Sequence, residues 1–344
     1  VSAGHPVEPP DGEGLPGSVE EVLLGGGRVW TRREVAARAG VEFERAVRVW
    51  RALGFPAVDD GARVFTDADV EALRTGERLI AAGLVTEHGE AMMARALGHH
   101  LSRLADWQVD TLREWMARDG DHSPGGRALW DRMAELLPEI ERLQRYVWHR
   151  HLVAYAGHAF AEGRPDGVAA GTAGDGAHVR ERAVGFTDMV GYTRMSRGLD
   201  GAELVRVLDR FETVTGDVVA EGRGEVVKTI GDEVLFVCES AAGAADIGLE
   251  LTARAQADPK LPQVRTGLAH GPVIGRFGDV YGAAVNIAAR LTAVARPASV
   301  LVNTALAGEL AGMAPYALRP LRPVSVRGYS RLRPVLLRRA RGAS

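Results

Sequence analysis

The stretch Glu225-Val226-Val227-Lys228-Thr229-Ile230-Gly231-Asp232-Glu233-Val234-Leu235-Phe236-Val237-Cys238 sets two runs rich in β-branched and aromatic residues on either side of a Gly-Asp pair. Runs of that composition read as strands, and a two-residue connection with Gly first suits a type II′ hairpin turn. The reading predicts a hairpin with Asp232 at an exposed tip, where a carboxylate can serve a metal. Gly-Asp also makes good turns for purely structural reasons. Stretches upstream and downstream decide between the two.

Upstream, Ala183-Val184-Gly185-Phe186-Thr187-Asp188-Met189-Val190-Gly191-Tyr192-Thr193 is a short apolar strand that runs into Asp188 and then a Gly-containing turn. Successive backbone N–H groups in a turn that leads into a helix form a concave donor set suited to phosphate oxygens. Downstream, Asp279-Val280-Tyr281-Gly282-Ala283-Ala284-Val285-Asn286-Ile287-Ala288-Ala289-Arg290 spaces Asn286 and Arg290 four residues apart, on one face of a helix. Two acids, a Lys, an Asn and an Arg at strand and helix ends describe a site for a metal-bound polyphosphate.

Together, Phe186-x-Asp188-x-x-Gly191-Tyr192-Thr193, Lys228-Thr229-x-Gly231-Asp232 and Asp279-x-x-Gly282-x-x-Val285-Asn286-x-Ala288-x-Arg290 resemble the catalytic domain of class III nucleotide cyclases, from about residue 180 to 340. The resemblance implies attack of a ribose 3′-oxygen on the α-phosphorus of a nucleoside triphosphate, giving a 3′,5′-cyclic monophosphate and pyrophosphate. It implies two divalent ions, Mg²⁺ or Mn²⁺, on Asp188 and Asp232, with the Met189 carbonyl as a further ligand. The amides of Val190, Gly191, Tyr192 and Thr193 are candidates to hold the triphosphate. Arg290 is expected to stabilise charge at the reacting phosphorus and Asn286 to orient the ribose.

Base choice rests on Lys228 and Asp279. A Lys donor facing adenine N1 and an Asp acceptor facing the 6-amino group fit ATP, whereas guanine presents a carbonyl and a protonated ring nitrogen there. Arg276 is a candidate for the pyrophosphate end. Val326-Arg327-Gly328 stands where the family commonly carries a phosphate-contacting Lys before Gly, so Arg327 keeps the charge with a different fork. In the family the metal-binding and base-binding residues meet from opposite subunits. A chain with both sets is expected to form a homodimer with two equivalent sites.

The chain has 344 residues, enough for two domains, with 46% hydrophobic and 25% charged residues and a formal net charge of −3. That balance gives no general attraction to nucleic acid or anionic lipid. The only Cys, Cys238, lies in the apolar hairpin arm and reads as a buried, inert thiol. Among 42 Lys and Arg only Lys228 and Lys260 are Lys, so Lys228 answers a specific need. No apolar run reaches about 18 residues and no signal-peptide pattern opens the chain, which predicts a soluble, cytoplasmic protein.

Residues 1–17, rich in Pro and Gly, read as a disordered leader, and residues 18–162 as a helical regulatory domain. Thr31 with Glu34 forms a capping pattern, and Gly40-Val41 joins two short helices as a helix-turn-helix. Residues 53–69 are similar to the winged region of MerR-type domains. Caps are read at Thr66, Thr86 and Ser123, breaks near Gly83 and Gly120, and a break or kink at Pro138. Met92, Met93, Leu97, Leu101 and Leu104 form a stripe suited to core, dimer seam or an apolar ligand pocket.

Eight of the ten His lie between His88 and His178, without metal-ligand spacing, so zinc is not expected. The eight are His88, His99, His100, His122, His149, His151, His158 and His178. The segment resembles the regulatory domain of acid-responsive mycobacterial-type adenylyl cyclases, which implies autoinhibition relieved by protons or a small apolar ligand. Residues 163–179 read as a flexible linker.

Residues 180–340 alternate strands and helices as an α+β catalytic domain, akin to the ferredoxin-like βαββαβ plan with a largely antiparallel sheet. The favoured reading is an adenylyl cyclase acting on ATP, with nucleic acid not an expected partner. The competing readings are a catalytically silent cyclase-like signalling dimer and a DNA-binding regulator with a nucleotide-sensing cyclase-like domain.

Overall fold

The computed structural model of the chain describes residues 23–119, 127–161, 178–276 and 278–340. The leader, Ser18, Gly120, His122, Ser123 and most of the linker lie outside the described residues, as do the side chains of His158 and His178. The chain divides into two compact units, Val1–Thr172 and Ala173–Ser344.

In the first unit, α1 (Arg32–Ala39) starts at Thr31, whose N–H donates to Glu34 Oε2 at 2.8 Å while the Glu34 N–H donates to Thr31 Oγ1 at 3.3 Å. Gly40, at φ 75°, ends it in the left-handed region that a Cβ disfavours. There follow α2 (Phe43–Leu53), α3 (Asp67–Ala81) and α4 (Glu87–Asp119). The Thr66 N–H donates to Asp69 Oδ2 at 2.7 Å and the Gly89 N–H to Thr86 Oγ1 at 3.0 Å, so both expected caps form.

Val35, Ala46, Trp50, Phe65, Val70, Leu73 and Ala94 make the core of this unit. Arg45 ties three helices from inside: its Nε donates to Glu90 Oε2 at 2.8 Å and its terminal nitrogen pairs with Glu77 Oε1 at 2.5 Å. α4 passes α2 closely because residue 98 is Gly; a Cβ there would lie 2.3 Å from the Leu53 carbonyl oxygen. Where a wing was expected, the described residues carry one bridge, Trp30 to Phe65. The Met92 stripe is not core throughout, since Leu97 and Leu101 are exposed.

The last helix of the unit, α5 (Arg127–Ala161), is a single helix with Pro138 inside it, so of the expected break or kink the break does not occur. Pro forfeits one backbone hydrogen bond and crowds the preceding turn, a local cost the flanking turns absorb. No helix among the described residues is long and apolar enough to cross a membrane.

The second unit opens with β1 (His178–Met189), which begins inside the segment read as linker. Then come α6 (Tyr192–Met195), α7 (Gly201–Glu221), β2 (Glu225–Ile230), β3 (Glu233–Cys238), α8 (Ala241–Ala257), β4 (Val264–Arg276) and β5 (Asp279–Tyr281). The rest is α9 (Ala283–Val294), β6 (Ser299–Val302), α10 (Thr304–Glu309), β7 (Tyr316–Pro320), β8 (Val324–Val326), β9 (Tyr329–Leu332) and β10 (Val335–Arg339). The sheet order is β2-β3-β1-β4-β6-β10-β7, with β5 on β4 and β8-β9 a separate hairpin. Its first four strands are antiparallel neighbours in the βαββαβ order, and β4-β6 is a parallel pair, so the sheet is mixed.

Both faces are covered. α8 and α10 pack over Ala183, Phe236 and Leu337, and Cys238 is buried among them. On the other face α9 packs Ala284 and Ala288 over Val184, Phe186, Leu235 and Ala269. α9 sits close because residue 267 is Gly: a Cβ would lie 2.3 Å from Thr292 N and 2.4 Å from Ala288 O. Leu291, fully buried at its end, contributes on the order of 2 kcal/mol by burial alone.

Candidate active site

Asp188, next to last in β1, lies directly opposite Glu233 of β3 on one side and Arg265 of β4 on the other. Opposed residues on neighbouring strands share a face, so these three side chains form one row across the sheet. Arg265 Nε donates to Asp188 Oδ2 at 2.6 Å and a terminal nitrogen lies 2.5 Å from the same oxygen. The other terminal nitrogen reaches Ala293 O at 3.3 Å, near the end of α9.

Gly231, at φ 61°, and Asp232, at negative φ, make the two-residue connection between Ile230 and Glu233, as the hairpin reading requires. The Met189 N–H donates to the Asp232 carbonyl at 3.0 Å, which pins the hairpin tip against the end of β1. Asp232 is half-buried there, correcting its expected exposure.

Burial raises the Asp232 carboxyl above its usual range, its own backbone opposes this, and Asp188 beside it raises it further. Glu233 is pushed up to about 7, by burial first and then by the charges of Asp188 and Asp232. Three crowded acids answered by one guanidinium make a surplus of negative charge that a divalent cation would relieve. The described residues contain no ready cluster of three or more metal-binding side chains, so the remaining ligands would be backbone or substrate oxygens.

The second set also assembles. Lys228 of β2 and Asp279 of β5 come from two different motifs, yet Nζ and Oδ2 lie 2.5 Å apart. A register shift between Val226 and Lys228 re-aims the edge strand at this point. Asp279 Oδ1 accepts the Val280 N–H at 2.8 Å, which fixes the carboxylate. On α9, Asn286 is exposed and Arg290 half-buried, and neither side chain has an ion pair or hydrogen bond among the described residues.

Other expected residues fare differently. The Val190 N–H donates to the Gln263 carbonyl at 2.8 Å and is not available to a phosphate. Gly191, at φ 80°, caps α6 without a side-chain bond, which leaves the turn through Tyr192 and Thr193 as the candidate nest. Arg276 ends β4 opposite Asp279, and Arg327 is exposed in the β8-β9 turn. Among the described residues no hydrogen bond or ion pair joins the Asp188-Asp232 set to Lys228, Asp279, Asn286 or Arg290. Arg265 and Glu233 escaped the motif reading because only strand register places them beside Asp188.

Comparison with known proteins agrees with this layout. Residues 18–138 match the family model described as adenylate cyclase regulatory domain, and residues 177–338 that of the adenylate and guanylate cyclase catalytic domain. An adenylate cyclase of Glutamicibacter nicotianae is 37% identical over 334 residues, covering 95% of this chain and 83% of that protein. One of Streptomyces coelicolor is 40% identical over 295 residues, 85% of this chain and 74% of that one. A pH-sensitive adenylate cyclase of Mycobacterium tuberculosis is 33% identical over 290 residues, 83% and 70% of the two chains.

The catalytic domain matched by residues 177–338 is that of the class III nucleotide cyclases. Within that class, the chain belongs to the adenylate cyclase family.

Proposed function

We propose that two copies of the chain form two equivalent sites, each with Asp188 and Asp232 of one copy facing Lys228, Asp279, Asn286 and Arg290 of the other. The observation that carries this is the pair of preformed but unjoined clusters: crowded acids on one, a Lys-Asp pair beside a helix with free Asn and Arg on the other. Two divalent cations, when bound to the acids, would polarise the attacking oxygen and offset phosphate charge.

The chain's own groups do the rest. Lys228 and Asp279 hold each other in place for adenine, each donating or accepting at one edge position of the base. Arg290 meets the charge that grows on the reacting phosphorus, and Asn286 fixes the ribose so that its 3′-oxygen approaches in line. Arg265 holds Asp188 in the metal-free chain and would compete with a cation for that carboxylate. The turn at Gly191, Tyr192 and Thr193 adds backbone donors, with Arg276 and Arg327 at the pyrophosphate end.

The first unit is read as a control domain that responds to protons or an apolar ligand, in keeping with the pH-sensitive relative. The test is cyclic nucleotide formation by the full chain with ATP or GTP, in Mg²⁺, Mn²⁺ or chelator, across pH 5 to 8. The expected result is cyclic AMP from ATP, dependent on the divalent ion and on pH. No product from either nucleotide would overturn the reading.

A further inference from the structure

The β8-β9 hairpin is the outer part of a longer ribbon whose inner part is β7 paired with β10. Tyr316 lies opposite Arg339, Pro320 opposite Val335, Val324 opposite Leu332 and Val326 opposite Tyr329. Between the two parts the Leu321 N–H donates to the Pro334 carbonyl at 2.9 Å. The sequence beyond Glu309 holds eight Arg and no Asp, Glu, Lys or His, so all 45 acidic residues of the chain lie at or before Glu309.

The seven arginines on the ribbon are exposed. Arg339 pairs with Asp246 of α8, and Arg327 stands at the turn already assigned to the pyrophosphate end. Arg319, Arg322, Arg331, Arg333 and Arg338 have neither an ion pair nor a hydrogen bond among the described residues. Elsewhere in the unit cations are interleaved with acids: Arg206 and Arg210 share α7 with Glu203, Asp209 and Glu212, and Arg254 reaches both Glu221 and Glu250. Five like charges left together repel one another until an opposite charge answers them.

We infer that this ribbon is a contact for an anionic lipid surface, its arginines pairing with headgroup phosphates. The guanidinium fork matches phosphate oxygens, and clusters of about 4–8 Lys or Arg suffice to hold a protein segment to an anionic leaflet. The two arms lie about 4.8 Å apart, so flexible side chains from both settle on one plane.

The major groove of DNA also admits a two-stranded ribbon, but it is about 8.5 Å deep and insertion needs both faces of the ribbon free. Here one face is covered: Val324, Val326, Tyr329 and Leu332 pack on Leu291 and Ala295 at the end of α9. The ribbon's aromatic side chains, Tyr316 and Tyr329, are half-buried in the unit's own clusters and offer no platform for a base. A lipid surface needs only the outer side.

The test is co-sedimentation of the full chain with phosphatidylcholine vesicles that contain no phosphatidylglycerol or about one-third of it. The chain should bind the anionic vesicles at low salt and come off at about 0.5 M salt, where exposed charges are screened. Combining Arg319→Gln, Arg322→Gln, Arg331→Gln, Arg333→Gln and Arg338→Gln should weaken that binding at least about tenfold, with Arg322→Gln and Arg333→Gln alone giving part of the loss. An equal loss of charge elsewhere, by Arg103→Gln, Arg145→Gln, Arg150→Gln, Arg197→Gln and Arg206→Gln together, should change it less than about twofold. Thermal unfolding shows that each variant is folded. No binding of the unaltered chain to anionic vesicles, equal binding to neutral ones, or an equal loss in both five-fold variants overturns the inference. So does tighter binding to a DNA duplex at the same salt that the ribbon variant alone loses.

Discussion

Arg265 and Asp188 are directly opposed on β4 and β1, and the guanidinium Nε sits 2.6 Å from the carboxylate Oδ2. The same carboxylate is opposed on its other side by Glu233, so the arginine is the only cation in a row of acids. Replacing it by Arg265→Gln leaves that charge unanswered. The change should lower stability by about 1–3 kcal/mol at pH 8 and by less at pH 5.5, where Glu233 is largely protonated. Thermal unfolding at the two pH values checks this, and an equal loss at both would argue against it.

Glu233 gives the metal-free protein a pH slope of definite sign. Its folded-state value near 7 lies above the ordinary 4.5, so the folded form holds a proton that the unfolded form releases. Stability is then greatest below about pH 4.5 for this group alone and falls as pH rises through 7. In Glu233→Gln that fall should flatten, as measured by unfolding midpoints between pH 5 and 8 in chelator. Added Mn²⁺ should flatten it in the unaltered chain as well, by answering the charge.

Asp188→Ala and Asp232→Ala should each reduce cyclic AMP formation by at least about a hundredfold, as should Lys228→Ala, whose site function is separate. Mixing Asp188→Ala with Lys228→Ala tests whether the sites are composite. Half the dimers would be mixed, each with one intact site of two, so activity should return to about a quarter of the unaltered enzyme's. Recovery absent in a mixture shown to exchange subunits would place all the groups on one copy.

Lys228→Met removes the donor proposed for adenine N1 and leaves Asp279 without its 2.5 Å partner. Discrimination between ATP and GTP in kcat/KM should fall by roughly 10–100-fold, mostly through ATP. Steady-state kinetics with both nucleotides measures it. A uniform loss for both would show that the lysine supports the fold of β2 more than the choice of base.

Gly267→Ala places a methyl against the backbone of α9 at Thr292 and Ala288, neither of which can step aside as a side chain would. The helix must shift, carrying Asn286 and Arg290 with it. Stability should drop by about 3 kcal/mol and turnover should fall with it. Chemical denaturation and kcat together separate this from a mutation that leaves α9 in place.

The hairpin, the two acids and the Asn-Arg helix face were legible in the sequence because each rests on local rules: turn residues, β-rich composition and four-residue spacing. Thr31 with Glu34 and Gly40 were legible for the same reason, since a cap is settled within a few residues. Arg265 and Glu233 were not, because their roles come from strands distant in sequence meeting in one register. Val190 was misread because its amide partner, Gln263, precedes β4 and nothing local announces it. At Pro138, where a break or kink was expected, the break does not form, because the long helical run on either side outweighs a local penalty.

The row Glu233-Asp188-Arg265 carries a genetic consequence. Because neighbouring residues of a strand point to opposite sides, inserting or deleting one residue within Val184–Thr187 would turn Asp188 away from both neighbours and force side chains fitted to one helix-covered face onto the other. Chemistry and architecture therefore share one alignment here, and lineages can vary the length of the connecting loops far more freely than the length of this strand.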